Sequence, residues 1–550
     1  MANITLNRKI FEKEIGKLDE KMQEKISMFG TPLEKFNEEE IEIEVFPNRP
    51  DLLSYQGFKR SFLAFLGRKP GMRQYEVNKP EKNYRVTIDS SSKDVRPYTA
   101  CAIIKDLKLD DDKIKEIIEI QEKLHVTLGR KRKKVAIGIY PLEKIKLPIT
   151  LKALEPDYIK FTPLEYDREM SGLQILQKHP TGKEYSHLLA GKSKFPVFLD
   201  AEDKVLSMPP IINSQLTGKV TQETKDIFIE CSGFDFKTLK KCLNILVLVF
   251  ADMGGKIYQM EIKGAPEKIS PSLESEKIKV SLENTNKTLG INLDEKNLKQ
   301  LIENMGHNYN QKTKEVEIGP WRIDIIHEID IIEDVAIAYG YENFIPEIPS
   351  ISTIGQENTE EIMKRKISEI LTGLNLLEVS NYHLTNKEYQ FRKMGIQEKQ
   401  ENEFVELENS KTEYNILRKD ISSFLLKNFS ENIDSEYPQK IFEIGTTFDI
   451  KNKINEREKL AVAITPGNFT EIKQILNYLF KSLDLKVELK EVENSPPHLI
   501  EGRTANIIFE EKEIGILGEI HPKILKNWKI KMPVSILELE LRDVFKKLTN

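Results

Sequence analysis

At 550 residues, the chain is too long to fold around one hydrophobic core, and the length predicts roughly three to four domains. The 39% of hydrophobic side chains is typical of a globular protein. Its net charge of −5 excludes a generally basic nucleic-acid-binding protein, so any RNA contact has to come from a local patch. The three cysteines show no CxxC spacing, which favours a reducing compartment and argues against a zinc site. The longest apolar run, near residues 243–250, is too short to cross a membrane. Since residues 1–5 show no signal-peptide core, we expect a cytoplasmic protein without membrane contact.

The first 80 residues are predicted to form a small α/β unit. Charge spacing in residues 11–29 indicates a helix, and residues 40–46 alternate like a half-buried strand. Two prolines in residues 47–51 predict a rigid turn, and a helix is expected over residues 53–66.

The rest of the chain alternates strands and helices. In residues 81–270 we expect a strand at 135–139 and a helix from about 237 to 252. Residues 271–345 are predicted to form a compact unit with a helix over 294–305. A Pro- and Ser-containing linker at 346–352 then precedes a mixed domain over 355–550.

An acidic stretch follows the predicted helix at 294–305. Four carboxylates fall within eleven residues: Asp324, Asp330, Glu333 and Asp334. On a helix, the last three would share one face, and like charges that close repel by roughly a few tenths of a kcal/mol per pair. Mg²⁺ would offset the repulsion because it binds carboxylate oxygens. A solvated acidic first turn, which complements a helix N-terminus, is the alternative, and the residues alone leave both open.

The acidic stretch resembles the B5 domain of phenylalanyl-tRNA synthetase β subunits. In that family an Arg-x-Asp strand precedes Asp-x-x-Glu-Asp, which opens a helix that ends in Gly-Tyr. Here the pattern is Arg322 with Asp324, then the other three acids, then Gly340 and Tyr341. The resemblance implies that the four acids bind one Mg²⁺ at a site shared with the α subunit.

Further motifs extend the resemblance over nearly the whole chain. Residues 44–54 resemble the PNRPD signature, residues 207–214 resemble the B3/B4 editing domain, and residues 406–418 and 442–445 resemble the catalytic-like module. The length and the PPIINS motif fit the archaeal/eukaryotic type. The resemblance implies a multidomain α/β and α+β fold with four modules: B1 at 1–80, B3/B4 at 81–270, B5 at 271–345, and a class II synthetase-like antiparallel sheet at 355–550.

The last module is expected to be catalytically silent. A class II synthetase site needs arginines on the triphosphate, because charge develops there during adenylate formation. Arg418 and Glu443 resemble parts of such a site, but His521 and Pro522 stand where a glycine-rich strand and an arginine would be required. We therefore expect no residue of this chain to catalyse aminoacylation, and expect the module to pack against the α subunit.

Residues 81–270 are a candidate editing domain. Editing is the hydrolysis of mischarged tRNA, and it is needed where binding alone does not discriminate well enough between two similar amino acids. By resemblance, the pocket positions are Phe198, Ser207, Glu230 and Ser232. The family pattern has Asp-x-Thr at the positions of Glu230-Cys231-Ser232 in this chain, and His-Asp-Leu-Asp at the positions of Tyr140-Pro141-Leu142-Glu143. We therefore expect a narrowed pocket with weak or absent hydrolysis of tyrosyl-tRNA.

Two further features stay open. The five consecutive cations at residues 130–134 are either a solvated loop or a surface that follows tRNA phosphates. His179 and His187 are expected to be structural or solvent-facing rather than catalytic.

The resemblance implies a β subunit that assembles with a catalytic α subunit, in family fashion as (αβ)₂. The complex would attach phenylalanine to tRNA(Phe) with ATP and Mg²⁺. Two alternatives are a stand-alone hydrolase of mischarged tRNA and a structural tRNA-binding chaperone. Residues outside 81–270 argue against the hydrolase, because a free hydrolase would not need them.

Overall fold

The computed structural model describes residues 2–350, 353–396, 404–450 and 453–549. The chain separates into two compact units, Met1–Ile348 and Pro349–Asn550. The boundary falls inside the predicted linker, and each unit has its own buried apolar clusters. The finer boundaries within the first unit stay a prediction.

The first unit begins with a small sheet in the order β1-β3-β2, packed against three helices. The alternation predicted for residues 40–46 is present, with the apolar residues buried. The single helix predicted for residues 11–29 was wrong, because Gly16 at φ +137° interrupts it and Asp19 caps a second helix. The elements are β1 (Ala2–Asn7), α1 (Arg8–Glu14), α2 (Glu20–Met28), β2 (Leu33–Phe36), β3 (Glu40–Val45) and α3 (Tyr55–Phe65).

The central part of the first unit contains two facing sheets. The five-stranded sheet has the order β4-β15-β6-β14-β7, and the seven-stranded sheet has the order β13-β12-β11-β8-β5-β16-β17. Helix α7 packs on one side of the five-stranded sheet, and the other side shares a core with the second sheet. The elements are β4 (Val77–Asn78), β5 (Arg85–Ile88), β6 (Tyr98–Lys105), α4 (Asp111–Val126), β7 (Val135–Pro141), β8 (Ile149–Leu154), β9 (Lys160–Phe161), β10 (Met170–Ser171), α5 (Gly172–Lys178), α6 (Pro180–Tyr185), β11 (Phe195–Leu199), β12 (Val205–Met208), β13 (Ile212–Asn213), β14 (Ile227–Gly233), α7 (Phe236–Asp252), β15 (Lys256–Tyr258), β16 (Met260–Lys263) and β17 (Ile269–Ser270).

The first unit ends with a three-stranded sheet, β18-β20-β19, and three helices. The acidic stretch opens α10 as predicted. The strand implied for residues 322–324 is absent, because Pro320 has no N–H with which to continue β20. The elements are β18 (Glu276–Lys279), α8 (Leu282–Leu289), α9 (Glu295–Asn304), β19 (Asn308–Asn310), β20 (Glu315–Ile318) and α10 (Glu328–Tyr339).

The second unit is built on a seven-stranded sheet in the order β21-β24-β25-β29-β28-β27-β26. All its neighbouring strands are antiparallel except β21 and β24. Helices α11, α13 and α15 share one core with the sheet, and α12 and α14 share another. The elements are α11 (Thr359–Gly373), β21 (Leu377–Glu378), β22 (Leu384–Thr385), β23 (Ile416–Leu417), α12 (Ser422–Glu431), β24 (Gln439–Ile450), β25 (Ile454–Thr465), α13 (Phe469–Ser482), β26 (Glu488–Glu491), β27 (Leu499–Phe509), β28 (Lys512–Ile520), α14 (Pro522–Asn527), β29 (Ser535–Glu540) and α15 (Arg542–Thr549).

The predicted fold class, a multidomain α/β and α+β chain with an antiparallel sheet in its last module, is confirmed. Within the four described ranges, no helix has the length and apolar character needed to span a bilayer.

Candidate functional site

A cavity of about 660 Å³ lies beside the edge strand β7, between α4 and the β12–β13 hairpin. Its apolar walls include seven isoleucines: Ile114, Ile117, Ile118, Ile137, Ile139, Ile211 and Ile212. Polar side chains line it as well, among them Ser207, Asn213 and Glu230. A cavity of this size that combines apolar walls with convergent polar groups is typical of a site for a small molecule or the end of a larger one.

The structure places the four predicted pocket residues on the facing sides of the two sheets, but only Ser207 and Glu230 line the cavity. Phe198 lies opposite Ser207 in the β11–β12 pair and packs into the core between the sheets. The Ser232 hydroxyl accepts a hydrogen bond from Arg96 Nε at 3.0 Å and is fully buried. Phe198 and Ser232 are therefore buried next to the residues that line the cavity and do not face it.

Glu230 is a buried acid on the cavity wall without a cationic hydrogen-bond partner. Its Oε1 lies 3.4 Å from the hydroxyl of Tyr140, and its Oε2 has no hydrogen-bond partner within the described part of the chain. Burial raises the pKa of Glu230 to about 8, although the charge of Arg96 acts in the opposite direction. The side chain is therefore mainly protonated at neutral pH and can donate a proton as well as accept one.

Tyr140 lies behind the polar part of the cavity wall and contacts three of its lining residues, and sequence reasoning did not place it there. Its hydroxyl donates to Ser207 Oγ at 2.8 Å and lies 3.4 Å from Asn213 Oδ1. The ring is fully buried and stacks on Phe228 at 5.8 Å. A Cβ on Gly138 would lie 2.2 Å from the hydroxyl, so only glycine fits there. The one signal in the sequence was the departure from the family pattern at residues 140–143.

The histidines at the cavity are held by structural contacts. His125 Nε2 accepts from the Ile137 backbone N–H at 2.8 Å, and Nδ1 lies 3.2 Å from Glu122 Oε1. Burial lowers the pKa of His125, so the ring is neutral and ties α4 to β7. His179 Nε2 lies 3.2 Å from the Leu164 carbonyl oxygen, and its ring lines the cavity.

His187, the other histidine considered in the sequence, is exposed and absent from the cavity wall. Its Nδ1 lies 3.1 Å from the Glu184 carbonyl oxygen. These contacts fit the solvent-facing role that we expect for this residue.

The cationic run at residues 130–134 is divided by the structure. Arg132 turns inward, where it lines the cavity and donates to the Ile211 carbonyl at 2.8 Å and to Glu122 at 2.9 Å. Its guanidinium lies 4.4 Å from the centre of the Tyr185 ring. The other four cations are exposed: Arg130, Lys131, Lys133 and Lys134. One cation thus supports the cavity, and four form a basic surface next to it.

The acidic stretch contains a buried ion network centred on Arg322. Its Nη1 and Nη2 donate to the two oxygens of Asp334 at 2.8 and 3.0 Å, and its Nε donates to Asp324 at 2.9 Å. His307 Nε2 lies 2.9 Å from Asp334. Burial by itself would raise the pKa of Asp334, but Arg322 and His307 outweigh it and hold the pKa well below its usual range. Asp334 is therefore charged.

The other two acids have separate surroundings. Asp330 accepts from the backbone N–H groups of Ile326 and His327 at 2.8 and 2.7 Å, which forms a capping box at the start of α10. Glu333 is exposed. In the described ranges, no three His, Cys, Asp or Glu side chains are arranged to hold a metal ion. The four acids thus form no oxygen cage by themselves, and the Mg²⁺ site stays a prediction.

Arg418, the arginine expected to be left over from a nucleotide site, is buried in the second unit. It forms an ion pair with Glu443, and its Nε donates to the Thr446 carbonyl at 2.8 Å. A Cβ on Gly445 would lie 2.2 Å from the guanidinium. An arginine packed in this way cannot reach a triphosphate without breaking a buried ion pair.

Comparison with known proteins identifies relatives along nearly the whole chain. The family model described as the phenylalanyl tRNA synthetase beta chain CLM domain matches residues 345–541, and that of the tRNA synthetase B5 domain matches residues 278–341. The phenylalanine–tRNA ligase beta subunit of Thermococcus sibiricus is 40% identical over 509 residues, which cover 91% of this chain and 90% of the relative. That of Archaeoglobus fulgidus is 35% identical over 551 residues and 99% of each chain.

A solved structure is similar to the first part of the fold. It is an N-terminal fragment of the phenylalanyl-tRNA synthetase beta subunit from Pyrococcus horikoshii, with 37% sequence identity and a TM-score of 0.59. The match covers 62% of this chain and 100% of the fragment.

Proposed function

Because the chain belongs to the family of phenylalanine–tRNA ligase beta subunits, we propose that it serves as the noncatalytic partner of an α subunit that attaches phenylalanine to tRNA(Phe) with ATP. The observation that carries the proposal is the 35% identity to such a subunit over 99% of both chains. We further propose that the assembly is (αβ)₂ and works in the cytoplasm.

The burial of Arg418 supports a silent synthetase-like module. Its ion pair with Glu443 is enclosed, and removing an arginine from such a pair leaves a buried carboxylate without compensation, which costs roughly 3–5 kcal/mol. ATP activation therefore belongs to the α subunit, and this module supplies packing surface.

The cavity beside β7 supports an editing role for residues 81–270. It combines an apolar wall with an uncharged acid and a serine. Those are groups that position a water molecule and a polar substrate atom for ester hydrolysis. The four exposed cations at residues 130–134 suit the phosphates of the tRNA end that would enter, because phosphate contacts position a nucleic acid without reading its sequence.

The proposal also includes a Mg²⁺ shared with the α subunit. In this chain, the oxygens of Asp324 and Asp334 already accept hydrogen bonds from Arg322, so these two acids fit that ion poorly. Mg²⁺ commonly takes one or two carboxylates and keeps several waters. Asp330 and Glu333 would be the contribution of this chain, and other oxygens would come from outside it.

Coexpression with the α subunit tests the main proposal. We expect the chain alone to charge no tRNA, and the purified complex to attach phenylalanine to tRNA(Phe). The mass of the complex by light scattering tests the (αβ)₂ stoichiometry. Charging by this chain in a preparation free of α would overturn the proposal. Rapid hydrolysis of mischarged tRNA by the chain alone, without assembly, would favour the stand-alone hydrolase.

A further inference from the structure

The polar end of the cavity is already in contact with a phenol that belongs to this chain. The Tyr140 hydroxyl lies within 3.4 Å of oxygen atoms from three residues, Ser207, Asn213 and Glu230, and all three line the cavity. We propose that Tyr140 is a built-in occupant of the hydroxyl-recognition position, so that the cavity cannot select a tyrosyl group by its own hydroxyl. The inference deepens the proposed editing role and rests on it.

The contacts of Tyr140 are those that a bound 4-hydroxyphenyl group would need. A phenol has one proton to donate, and here it goes to Ser207 Oγ at 2.8 Å. Glu230 Oε1 lies 3.4 Å from the same oxygen. Sites that recognise a substrate hydroxyl do so through buried polar groups of this kind, and they discriminate strongly because those groups are left unpaired without the hydroxyl. In this chain an internal hydroxyl already pairs with Ser207.

Packing prevents the phenol from leaving. The ring is fully buried, stacks on Phe228, and shares the core between the two sheets with Phe198. Gly138 lies directly across from Glu230 in the β7–β14 pair. Its lack of a side chain makes room for the Tyr140 hydroxyl, because a Cβ at this position would lie 2.2 Å from the hydroxyl oxygen. Close-packed side chains of this kind do not swing aside for a ligand without a large rearrangement.

The consequence concerns the class of ester that the complex can hydrolyse. In that reaction water adds to the ester carbonyl, and the free amino acid and the ribose hydroxyl are released. A tyrosyl ester would bring a second hydroxyl to a position that the Tyr140 hydroxyl already fills. The wild-type complex therefore hydrolyses tyrosyl-tRNA slowly, and shortening Tyr140 opens the position.

The first experiment measures binding of p-cresol and toluene to the αβ complex by NMR titration, with wild type, Tyr140→Phe and Tyr140→Ala. The two probes differ only by a hydroxyl. We expect Tyr140→Ala to bind p-cresol at least about tenfold more tightly than toluene, and the other two proteins to show no preference for p-cresol over toluene. Equal affinity of Tyr140→Ala for the two probes, or a clear preference of wild type for p-cresol, would overturn the inference.

The second experiment measures hydrolysis of preformed tyrosyl-tRNA by the same complexes. We expect at least about tenfold faster hydrolysis with Tyr140→Ala than with wild type. Tyr140→Leu keeps more of the packing and replaces the alanine variant if that one does not assemble. Rapid hydrolysis by wild type that is lost in either variant would show that Tyr140 serves the reaction, against the inference. Phenylalanylation by each complex reports on the proposed function separately.

Discussion

Glu230 and Asp334 are both buried carboxylates, and they have opposite surroundings. Asp334 receives two hydrogen bonds from Arg322 and one contact from His307, and its pKa is held low. Glu230 has one oxygen without a hydrogen-bond partner among the residues that the structure describes, lies on a cavity wall, and has a pKa raised to about 8. Burial acts in the same direction on both acids. The difference comes from the direct hydrogen bonds that Arg322 donates to Asp334, whereas Arg96 donates to Ser232 and acts on Glu230 through its charge alone.

The comparison separates structural carboxylates from candidate functional ones. A buried acid that is fully paired stabilises one arrangement of the chain and has little capacity left for a ligand. A buried acid that is left partly unpaired in a cavity is poised to exchange a proton with a guest. If candidate functional sites were ranked by the number of acids close together in the sequence, the acidic stretch would come first. The geometry instead favours the cavity as the site that can bind a ligand.

The largest expected effect is the loss of the Asp334 charge. Asp334→Asn removes one of the two carboxylates that pair with the buried Arg322 and leaves Asp324, so we expect the free energy of unfolding of the first unit to fall by up to roughly 3–5 kcal/mol. Of the two tryptophans, Trp321 lies next to Arg322. Its fluorescence in a Trp528→Phe background reports urea unfolding of this unit.

Glu333→Gln is the matched control for Asp334→Asn, because Glu333 is exposed on the same helix. We expect it to change the free energy of unfolding by less than about 0.5 kcal/mol. Equal effects of the two substitutions would show that the ion network does not hold this part of the fold.

The second prediction concerns pH and Glu230. Its pKa is raised from 4.5 to about 8 on folding, so the folded state binds a proton that the unfolded state lacks in that window. The free energy of unfolding is therefore highest, with respect to this group, below about pH 4.5. It falls as the pH rises from there towards 8, by at most about 1.4 kcal/mol per pH unit. Glu230→Gln removes this loss.

From pH 5 to pH 7, the unfolding free energy of Glu230→Gln should therefore rise relative to wild type by up to about 3 kcal/mol. Taking the difference between the two proteins cancels the contribution of other acids such as the half-buried Glu116, whose pKa desolvation raises to about 7. Glu143→Gln, at an exposed position, is the control. Parallel pH profiles for wild type and Glu230→Gln would contradict a protonated Glu230.

The third prediction tests whether Tyr140 and Glu230 are packed as closely as the structure indicates. Gly138→Ala should destabilise the first unit by about 1–3 kcal/mol, because the new methyl group overlaps the Tyr140 hydroxyl and Glu230 Oε1. In a Tyr140→Phe background the cost should shrink, because the hydroxyl, the closest of the three overlapping atoms at 2.2 Å, is gone, while Tyr140 Cε2 and Glu230 Oε1 at 2.6 Å remain. Additive effects of Gly138→Ala and Tyr140→Phe in this double-mutant cycle would mean that the Tyr140 hydroxyl does not lie against position 138.

The smallest expected effect on the fold concerns Asp330. Asp330→Ala removes the acceptor of two backbone N–H groups at the start of α10 and should cost about 1 kcal/mol. Combined with Glu333→Gln, it should weaken Mg²⁺-dependent association with the α subunit far more than it weakens the fold, as measured by light scattering at several Mg²⁺ concentrations. Unchanged association would leave Asp330 as a helix cap only.

Motif and periodicity in the sequence predicted much of the fold. The helix expected over residues 294–305 is α9 (Glu295–Asn304), and the alternation at residues 40–46 is β3. The family resemblance is confirmed by relatives that cover nearly the whole chain. Ser207 and Glu230 were assigned to a pocket by resemblance to the family, and both line the cavity. The helix and the strand depend on neighbours in sequence, so local patterns suffice to predict them.

The partners of the buried polar groups depended on the tertiary structure. Tyr140 meets Ser207 across 67 residues and Glu230 across 90 residues, and nothing local in the sequence indicates either contact. Arg322 lies two residues from Asp324, yet its bidentate contact with Asp334 exists only because α10 folds back over the segment after β20. Composition and spacing determine which charges lie near each other along the chain. Only the packed fold determines which charge is neutralised, which is desolvated, and which faces a cavity, because those outcomes depend on the distances between segments far apart in sequence.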